Sequence, residues 1–452
     1  MREKAPHTAD ARRAVVSALS RLEQENSYSN IVLDHLLQSG GVAERDQAFA
    51  SRLLYGVIER RLTIDFVLDV CSSVKVKKMH PVVRSILRCG VYQLLYMDKV
   101  PPSAAVNESV RLAKVMKQGH AAGFVNAVLR AVGKKGEEIL VSLPHDEEGD
   151  AIRFACPVTL LRFWKNAYGE AIAQSILEHL NDVPPLSLRV NTLRISPATF
   201  AEWLDKQGIA FKKIEELPAC FMVEGGNAVK KLAYFAKNCY YHQDAASQIS
   251  ILALDPRPGE KIADVCAAPG GKSFTAAQIM ENQGALFSWD IYPAKCEEME
   301  RRAAELGITI MSTAPRDASA HCPEPLCGTF DRVICDVPCS GLGVIRRKPE
   351  IRYKSLDALH ELPELQYRIL ESSAELVRPG GVLQYSTCTL NPAENEEVVQ
   401  RFLREHTDFS PRMLPIGFCF KQAGLPQASY ITLFPHIHNT DGFFIAGFVK
   451  AG

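Results

Sequence analysis

Two cysteines in the C-terminal half of the sequence have surroundings that suit nucleophilic catalysis. Cys339 lies in the segment 336–341, Asp-Val-Pro-Cys-Ser-Gly, and Cys388 lies in the segment 385–389, Tyr-Ser-Thr-Cys-Thr. Each segment ends an apolar run typical of a buried strand, so we expect both cysteines at the sheet edge where parallel strands bind ligands. One cysteine at such a place is usually an inert small hydrophobe, whereas two match a specific chemical need.

That need is methyl transfer to a pyrimidine. Carbon 5 of cytosine or uracil is a poor nucleophile, but a thiolate that adds to carbon 6 makes the ring enamine-like and reactive at carbon 5. The ring must then lose its carbon 5 proton and expel the thiol, and a second group that assists this release is useful. The two cysteines therefore predict covalent methylation, if a methyl donor binds beside them.

A donor site is indicated by the segment 262–273, where an apolar run ends in a turn of small residues before a helix-compatible stretch. Strand, tight turn and helix form the opening unit of nucleotide-binding α/β sheets. Gly271-Lys272-Ser273 fits the end of a phosphate-binding loop, but Cys266 takes the place of that loop's first glycine. Three alternatives stay open for the turn: a nucleoside triphosphate, S-adenosylmethionine, or an ordinary strand–helix connection.

Two acidic residues end later strands of the same region. Asp290 lies 19 positions beyond Gly271, where an acid accepts hydrogen bonds from ribose hydroxyls in this architecture. Asp336 ends another apolar run and would also suit a magnesium ion, which keeps the triphosphate alternative open. The pair of cysteines, which a magnesium site does not need, favours the methyl donor.

The elements that must position these residues alternate between strand and helix from residue 243 onward. This order predicts a doubly wound, mainly parallel sheet. Asn391 is expected to cap a helix, with Glu394 at the capping-box position three residues later. The predicted strands after the first turn are 285–290, 308–312, 330–336, 381–388 and 442–450, and the predicted helices are 293–306 and 362–377.

The N-terminal part has a different pattern. Apolar residues recur at three- and four-residue spacing from 9 to 133, which predicts an all-α bundle. Residues 133–150 are polar and are predicted to be a linker, and residues 151–240 combine helical and strand patterns. The first 140 residues carry 21 Lys and Arg against 14 Asp and Glu, whereas the whole chain is neutral, so we expect a polyanionic partner.

Composition limits the class of protein. A chain of 452 residues with 47% hydrophobic and 23% charged residues indicates a globular protein of two or three domains. Residues 1–6 lack the apolar core of a signal peptide, and the thirteen scattered cysteines suggest reduced thiols, so we expect a cytoplasmic protein without membrane association. The spacing of the cysteines and histidines, His321, Cys322, Cys327, His436 and His438 included, predicts no metal site.

Three segments together resemble the Nop2/Sun family of RNA 5-methylcytosine methyltransferases. They are 264–273 (Asp-Val-Cys-Ala-Ala-Pro-Gly-Gly-Lys-Ser), 336–341 and 385–389. In the N-terminal part, 105–114 and 123–130 resemble the end of the NusB-like RNA-binding helical domain. Nearly the whole chain is similar to the bacterial members of the family that modify small-subunit ribosomal RNA.

The resemblance implies the fold and the domain boundaries. It implies a multidomain protein with an all-α NusB-like RNA-binding domain at 1–140 and a linker with a small α+β RNA-binding subdomain at 141–240. A Rossmann-like, S-adenosylmethionine-dependent methyltransferase domain is implied at 241–452. The implied partner is small-subunit ribosomal RNA or an early assembly intermediate, and we expect a monomer.

The resemblance also implies the site. Cys388 is the implied nucleophile, Cys339 assists product release, Asp336 holds the cytosine amino group, and Lys272 lies near the target base. The basic segment 343–354 is expected to contact the RNA. A nucleoside triphosphatase and a non-catalytic RNA-binding protein are the alternative functions. The implied S-adenosylmethionine site comprises Cys266, Ala267, Ala268, Pro269, Gly270, Gly271, Lys272, Asp290, Asp317 and Asp336.

Overall fold

The computed structural model divides into two compact units. It describes residues 11–25, 32–33, 42–224, 231–232, 235, 237–415 and 429–452, so the N-terminal segment 1–6 discussed above lies outside it. The first unit comprises Met1–Asp182 and Ile345–Leu356, and the second comprises Val183–Val344 and Asp357–Gly452. None of the described helices is both long and apolar enough to cross a membrane.

The first unit is helical, as the apolar spacing predicts. Proline occupies the first turn of two of its helices, where its fixed φ fits and its missing N–H costs nothing. The apolar faces enclose one core that includes Leu53, Ile86 and Leu129, which are fully buried. The helices run Ala11–Glu25, Glu44–Glu59, Arg61–Cys71, Pro81–Tyr96, Pro102–Val115, Ala122–Val141, Glu147–Arg153, Val158–Tyr168 and Glu170–Glu178.

The predicted linker at 133–150 is mostly helical. The helix Ala122–Val141 continues through its first half because Gly136 is buried against Leu95, where a Cβ atom would lie 2.9 Å from a leucine methyl carbon. The next helix, Glu147–Arg153, begins at Asp146, whose carboxylate accepts a hydrogen bond from Gly149 N at 2.8 Å. The polar residues of this stretch therefore form the exposed faces of helices.

Residues Ile345–Leu356, which follow the Cys339 segment in sequence, belong to the first unit. Arg352 is 1% exposed, within the short 3-10 helix Pro349–Tyr353. Its guanidinium donates hydrogen bonds to four oxygens of this unit: Glu59 O (3.0 Å), Ala155 O (3.3 Å), Asn181 Oδ1 (2.9 Å) and Leu180 O (3.5 Å). The expectation that Arg352 contacts RNA is therefore wrong, because its charge is buried and already bound.

Tyr353 is held in the same unit. Its hydroxyl donates to Ile58 O at 3.0 Å, and the guanidinium of Arg61 lies 3.7 Å from the centre of its ring. Tyr353, which lies in the segment 343–354 that was expected to contact RNA, is thus a packing residue of the helical unit. Removing residues 1–150 would take away these two contacts of Tyr353, and one of the four acceptors of Arg352, the carbonyl of Glu59.

The second unit contains two sheets. The smaller is antiparallel with the order β2-β3-β1-β4, formed by β1 (Leu186–Val190), β2 (Phe211–Ile214), β3 (Leu217–Val223) and β4 (Tyr240–His242). Phe200, on the helix Pro197–Lys206, packs edge-on against Phe221 of β3 at 5.1 Å. The mixed α+β pattern predicted for this region agrees with a small sheet covered by a helix.

The larger sheet has the order β10-β12-β9-β8-β5-β6-β7, and β11 pairs with β12. Strands β5 to β9 are parallel to one another, whereas β12 runs antiparallel to β9, and β10 and β11 each pair antiparallel with β12. The strands are β5 (Lys261–Asp264), β6 (Ala285–Asp290), β7 (Met311–Pro315), β8 (Phe330–Asp336), β9 (Val377–Thr387), β10 (Phe409–Pro411), β11 (Tyr430–Leu433) and β12 (Phe443–Lys450).

The helices of this unit are those expected of a doubly wound fold. The third parallel strand begins at Met311 rather than at the predicted residue 308, because Ile308 is buried directly after the helix that precedes it. The other predicted strands and helices agree with the structure to within a few residues. Besides Pro197–Lys206, the α-helices in the described part of this unit are Ala245–Leu254, Gly271–Ile279, Pro293–Leu306, Leu362–Leu376, Glu396–Glu405 and Pro435–His438.

We predict that Arg352→Ala destabilises the first unit. The change leaves several buried oxygens without their donor, which costs about 3 kcal/mol in free energy of unfolding. Urea unfolding of the full chain, followed by helical circular dichroism, measures this loss. Lys354→Ala, an exposed neighbour, is the control and should change stability by less than about 0.5 kcal/mol. Equal stability of the two variants would contradict the anchoring role of Arg352.

Candidate active site

The parallel pairing of β8 and β9 brings the two cysteine segments together. Asp336, the last residue of β8, lies opposite Ser386 of β9, so Cys339 and Cys388 both follow at the same edge of the sheet. Their Sγ atoms are 3.2 Å apart, within hydrogen-bond distance. Both side chains are half-buried. The cysteines that sequence analysis singled out thus form a dithiol pair.

Further contacts join the two segments on either side of the thiols. Val337 N donates to Ser386 O at 3.1 Å, and Gly343 N donates to Cys388 O at 3.1 Å. The hydroxyls of Ser340 and Thr389, the residues directly after each cysteine, are 2.6 Å apart. The relative position of the two sulfur atoms is therefore fixed by backbone and side-chain bonds on both sides.

Lys272 and Asp336 form an ion pair beside the thiols. Lys272 Nζ lies 2.6 Å from Asp336 Oδ2, and Asp336 Oδ1 accepts a hydrogen bond from Ser386 Oγ at 2.7 Å. The ammonium also lies 5.1 Å from the centre of the Phe443 ring. Burial lowers the pKa of Lys272, but the carboxylate of Asp336 outweighs it, so the pKa is above its ordinary value. Lys272 is therefore a permanent positive charge at neutral pH.

The two thiols have different electrostatic surroundings. The hydrogen bond to Cys388 raises the pKa of Cys339 most, and burial and the carboxylates of Glu394 and Asp336 raise it further, well above its ordinary value. The ammonium of Lys272 lies close enough to Cys388 to attract its thiolate form. The site therefore keeps the proton on Cys339 and offers Cys388 the nearby positive charge that a thiolate needs.

The turn at 266–272 connects β5 to the helix Gly271–Ile279. Ala267 N donates to Trp289 O at 2.7 Å, and Gly270 N donates to Ala267 O at 2.7 Å, so the turn is bound both to β6 and to itself. Gly270 has a φ of +101°, and a Cβ atom there would come within 2.3 Å of the Phe274 ring. Glycine is required at this position for both reasons. The Ala268–Pro269 peptide bond is cis.

Asp264, at the end of β5, was recognised in the sequence only as part of a motif. It is 1% exposed, its Oδ2 accepts a hydrogen bond from Ser273 Oγ at 2.7 Å, and its Oδ1 has no hydrogen-bond partner within the described part of the chain. Burial raises the pKa of Asp264 to about 7, although the Ser273 hydroxyl opposes the shift. A buried acid with one unpaired oxygen beside a ligand-type turn marks this residue as part of the site.

Asp290 ends β6 next to the turn and is 9% exposed. Its Oδ1 accepts a hydrogen bond from Tyr292 N at 3.1 Å. Ile291 and Tyr292, which follow it, are 57% and 59% exposed and form an apolar surface at the strand end that sequence analysis did not identify. The sequence contained a signal for this surface, namely two apolar residues directly after the acid that ends a strand. Such a surface suits a flat ring.

Asp317 lies near the same strand end, because the neighbouring Arg316 N donates to Asp290 O at 3.0 Å. Asp317 is exposed, and its Oδ1 accepts hydrogen bonds from Ser319 N and Oγ, which lower its pKa. The structure therefore brings Asp290, Asp317 and the turn to one edge of the sheet. Asp336 and the thiol pair lie at this edge too, since β8 is the neighbour of β5.

The described residues contain no group of three or more His, Cys, Asp and Glu side chains arranged to hold a metal ion. His321 Nδ1 lies 2.8 Å from Glu375 Oε1, and the Cys327 thiol donates to the Cys322 carbonyl at 3.4 Å. These residues bond to one another and to the backbone.

Family comparisons cover most of the chain in three parts. Residues 251–449 match the family described as 16S rRNA methyltransferase RsmB/F, and residues 9–134 match the NusB family. Residues 156–230 match the ferredoxin-like domain of RsmF/B-like methyltransferases. The three matches occur in the same order as the helical unit, the small sheet and the larger sheet.

Individual relatives agree over the full length. The chain is 33% identical to the probable ribosomal RNA small subunit methyltransferase B of Synechocystis, over 98% of this chain and 99% of the relative. It is 34% identical to the Bacillus subtilis protein of the same name, over 97% and 98% of the two chains. The crystal structure of PH0851 superposes with a TM-score of 0.80 at 25% identity and covers 97% of this chain and 98% of that chain.

We predict that Asp264 makes stability fall as the pH rises. Because its pKa is about 7 in the folded protein and near 4 when unfolded, the folded state binds more protons between these values. Asp264→Asn should therefore gain stability relative to the parent as pH rises from 5 to 7, by roughly 1 kcal/mol per pH unit, and level off above 7. Thermal unfolding at pH 5, 6, 7 and 8 measures this difference.

Asp331→Asn is the matched control for this experiment. Burial opposes ionisation of Asp331, but hydrogen bonds from Lys261 N and Arg378 lower its pKa overall, so it is ionised throughout this range. The difference between Asp331→Asn and the parent should not change from pH 5 to 8. A flat profile for Asp264→Asn as well would show that Asp264 is ionised in the folded protein.

Proposed function

The chain belongs to the RsmB/F family of S-adenosylmethionine-dependent 16S ribosomal RNA methyltransferases, and from this premise we propose that it methylates carbon 5 of a cytosine. The observation that carries the proposal is the dithiol pair, Cys339 and Cys388, beside the Lys272–Asp336 ion pair. Methylation of an exocyclic amine or a ribose hydroxyl needs no thiol, whereas carbon 5 chemistry needs a nucleophile at carbon 6 and a group that assists its release.

The residues at the sheet edge fit S-adenosylmethionine. Asp290 uses Oδ1 to bind Tyr292 N, and within the described residues its Oδ2 is left for ribose hydroxyls. The exposed apolar side chain of Ile291 offers a face to adenine, with Asp317 near the ring edge. We assign Cys266–Lys272, Asp290, Asp317 and Asp336 to this site. When bound, S-adenosylmethionine supplies the electrophilic methyl group that carbon 5 accepts.

In the proposed reaction Cys388 is the nucleophile. Its sulfur forms a bond to carbon 6 of the cytosine, and the electron pair of the 5,6 double bond moves to carbon 5, which becomes able to accept a methyl group. The ammonium of Lys272 stabilises the attacking thiolate electrostatically. In the related DNA enzymes the cysteine of the Pro-Cys motif has this role, so family membership reverses the assignment that the motif alone favours.

Cys339 assists the second half of the reaction. After methylation, carbon 5 loses its proton to solvent, the double bond reforms, and the bond between carbon 6 and the Cys388 sulfur breaks. The raised pKa of Cys339 keeps its proton in place, 3.2 Å from the sulfur that leaves, where it stabilises the departing thiolate. The ion pair completes the site: Asp336 accepts a hydrogen bond from the cytosine amino group, and Lys272 lies near the base.

The RNA substrate is proposed from the helical unit and the family. NusB-like domains bind RNA, and the excess of positive charge in the first 140 residues suits a phosphate backbone. We propose that this domain, at 1–140, and the subdomain at 141–240 deliver small-subunit RNA, free or in an early assembly intermediate, to a catalytic domain at 241–452. The proposed protein is a cytoplasmic monomer.

The two other functions are a nucleoside triphosphatase and a non-catalytic RNA-binding protein. Cys266, at the position of the first glycine of a phosphate-binding loop, argues against the first, and the dithiol argues against the second. Isothermal titration separates them. S-adenosylmethionine should bind and ATP should not.

We predict that Asp290→Ala weakens S-adenosylmethionine binding, because two ribose hydroxyls lose their acceptor. The expected loss is about 1–3 kcal/mol, or roughly 5- to 150-fold in Kd, measured by isothermal titration. Glu297→Ala removes an exposed acid seven residues further along and should leave Kd unchanged. Equal affinity of Asp290→Ala and the parent would contradict the placement of the cofactor.

We predict that the two cysteine variants fail at different steps. Cys388→Ala should bind RNA and cofactor but give neither methylated product nor a covalent species, since the attack on carbon 6 requires its sulfur. Cys339→Ala should attack and methylate, then stall before elimination. Denaturing gel electrophoresis with labelled small-subunit RNA should show a covalent protein–RNA band for Cys339→Ala alone.

Two outcomes of this experiment contradict the proposed roles. A covalent band from Cys388→Ala rather than from Cys339→Ala would exchange the two cysteines. Methylation that survives Cys388→Ala, without a band from either variant, would exclude covalent catalysis through this residue. Cys335→Ala, which removes a fully buried thiol of β8 near the site, is the control and should retain the parental pattern.

A further inference from the structure

Glu394 is a buried carboxylate without a cation. It is 0% exposed at the end of the short 3-10 helix Pro392–Glu394, and no Lys or Arg among the described residues pairs with it. Burial of an unpaired carboxylate is expensive and requires several hydrogen bonds in compensation. The residues that donate these hydrogen bonds therefore indicate which parts of the structure the buried carboxylate holds together.

Two of those donors lead to the Cys339 loop. Glu394 Oε2 accepts a hydrogen bond from Ser340 N, the amide directly after Cys339, at 2.8 Å. The same oxygen accepts from Gln366 Nε2 at 2.9 Å, and this amide nitrogen also donates to Pro338 O at 3.0 Å. Glu394 thus contacts the residue after Cys339 directly and the residue before it through Gln366.

The remaining contacts of Glu394 lead to the Cys388 segment. Its Oε1 accepts from Asn391 Nδ2 at 2.8 Å, three residues beyond Cys388. Its backbone carbonyl accepts from Tyr385 Oη at 2.6 Å, three residues before Cys388. Glu394 does not close the capping box predicted for this position. Its carboxylate instead accepts hydrogen bonds from Ser340 N, directly after Cys339, and from Asn391 Nδ2, shortly after Cys388.

We infer that Glu394 is the positioning residue that holds the Cys339 loop against the Cys388 segment during the reaction. This inference rests on the proposed function, because the placement of Cys339 next to Cys388 affects the reaction only if the two thiols have the proposed roles. A carboxylate suits the task, since it only accepts hydrogen bonds and all three of its partners are N–H donors. Without it, Ser340 N and Gln366 Nε2 lose their shared acceptor, and Cys339 is no longer fixed 3.2 Å from Cys388.

The test compares Glu394→Ala with the parent in the full chain, using S-adenosylmethionine and a small-subunit ribosomal RNA transcript. Because release is the step that needs Cys339, we expect kcat to fall about 10-fold or more, with little change in the KM for RNA. Covalent protein–RNA adduct should accumulate, as in Cys339→Ala. A variant that is merely less stable would lose adduct and product together.

A second measurement does not depend on catalysis. Amide hydrogen exchange of the peptide 336–344 should speed up in Glu394→Ala, because the protected Ser340 N–H loses its acceptor. Unchanged exchange overturns the inference whatever the activity. Faster exchange with adduct and product lost in parallel also overturns it, since the loop would then matter only for folding. If Cys339→Ala itself yields no adduct, the proposed role of Cys339 fails, and the exchange data alone decide whether Glu394 holds the loop.

Glu396→Gln is the matched control. Glu396 lies two residues further along, and its carboxylate accepts from Thr432 Oγ1 at 3.1 Å, away from both cysteine segments. It should retain parental kinetics and exchange. If Glu394→Ala does not fold, Gln366→Ala removes only the indirect bond, and Glu394→Gln keeps one acceptor oxygen for Ser340 N. Both should give the same pattern in weaker form, and parental behaviour of both overturns the inference.

Discussion

The candidate active site depends on the parallel pairing of Phe330–Asp336 with Val377–Thr387. The register that sets Asp336 opposite Ser386 also determines that two loops of separate strand–helix units leave the sheet side by side. A slip of one residue would reverse the facing of every side chain on the strand, and the sulfur atoms could not meet. The short bonds from Val337 N to Ser386 O and from Gly343 N to Cys388 O extend this pairing past the strand ends.

Around this pairing the second unit concentrates acidic groups that a folded protein ordinarily avoids. Asp264 and Glu394 are both buried, and neither forms an ion pair with a Lys or Arg in the described part of the chain, whereas Asp336 pairs with Lys272. The protein compensates each by hydrogen bonds: one hydroxyl for Asp264 and three N–H donors for Glu394. The two carboxylates thus differ in how many hydrogen bonds they accept, and this difference indicates different roles. Asp264 has one oxygen without a partner among the described residues and lies beside the ligand turn, while both oxygens of Glu394 accept hydrogen bonds.

Local patterns in the sequence predicted most of the fold and the sheet edge at which the candidate site residues lie. Strand ends, small-residue turns and the helical spacing of the first 133 residues are local signals, so the sheet edge, its acids and its cysteines could be located in advance. Arg352 and Tyr353 could not, because nothing near them in sequence reveals that the chain enters the helical unit there, and basic residues are more often exposed. Glu394 fitted a local capping box, and only the tertiary structure supplies the competing Ser340 amide that it binds.

The proposed roles of the two thiols rest on the same contacts. When two titratable groups share a site, the one whose environment favours its neutral form acts as the proton carrier and the other as the nucleophile. Cys339 is half-buried, lies near two carboxylates and hydrogen-bonds to Cys388, all of which favour its protonated form. The hydrogen bond to Cys388 is the largest of these effects, and it raises the pKa of Cys339. In the proposed mechanism, therefore, Cys339 keeps its proton 3.2 Å from the Cys388 sulfur, where that proton can stabilise the thiolate when the sulfur leaves.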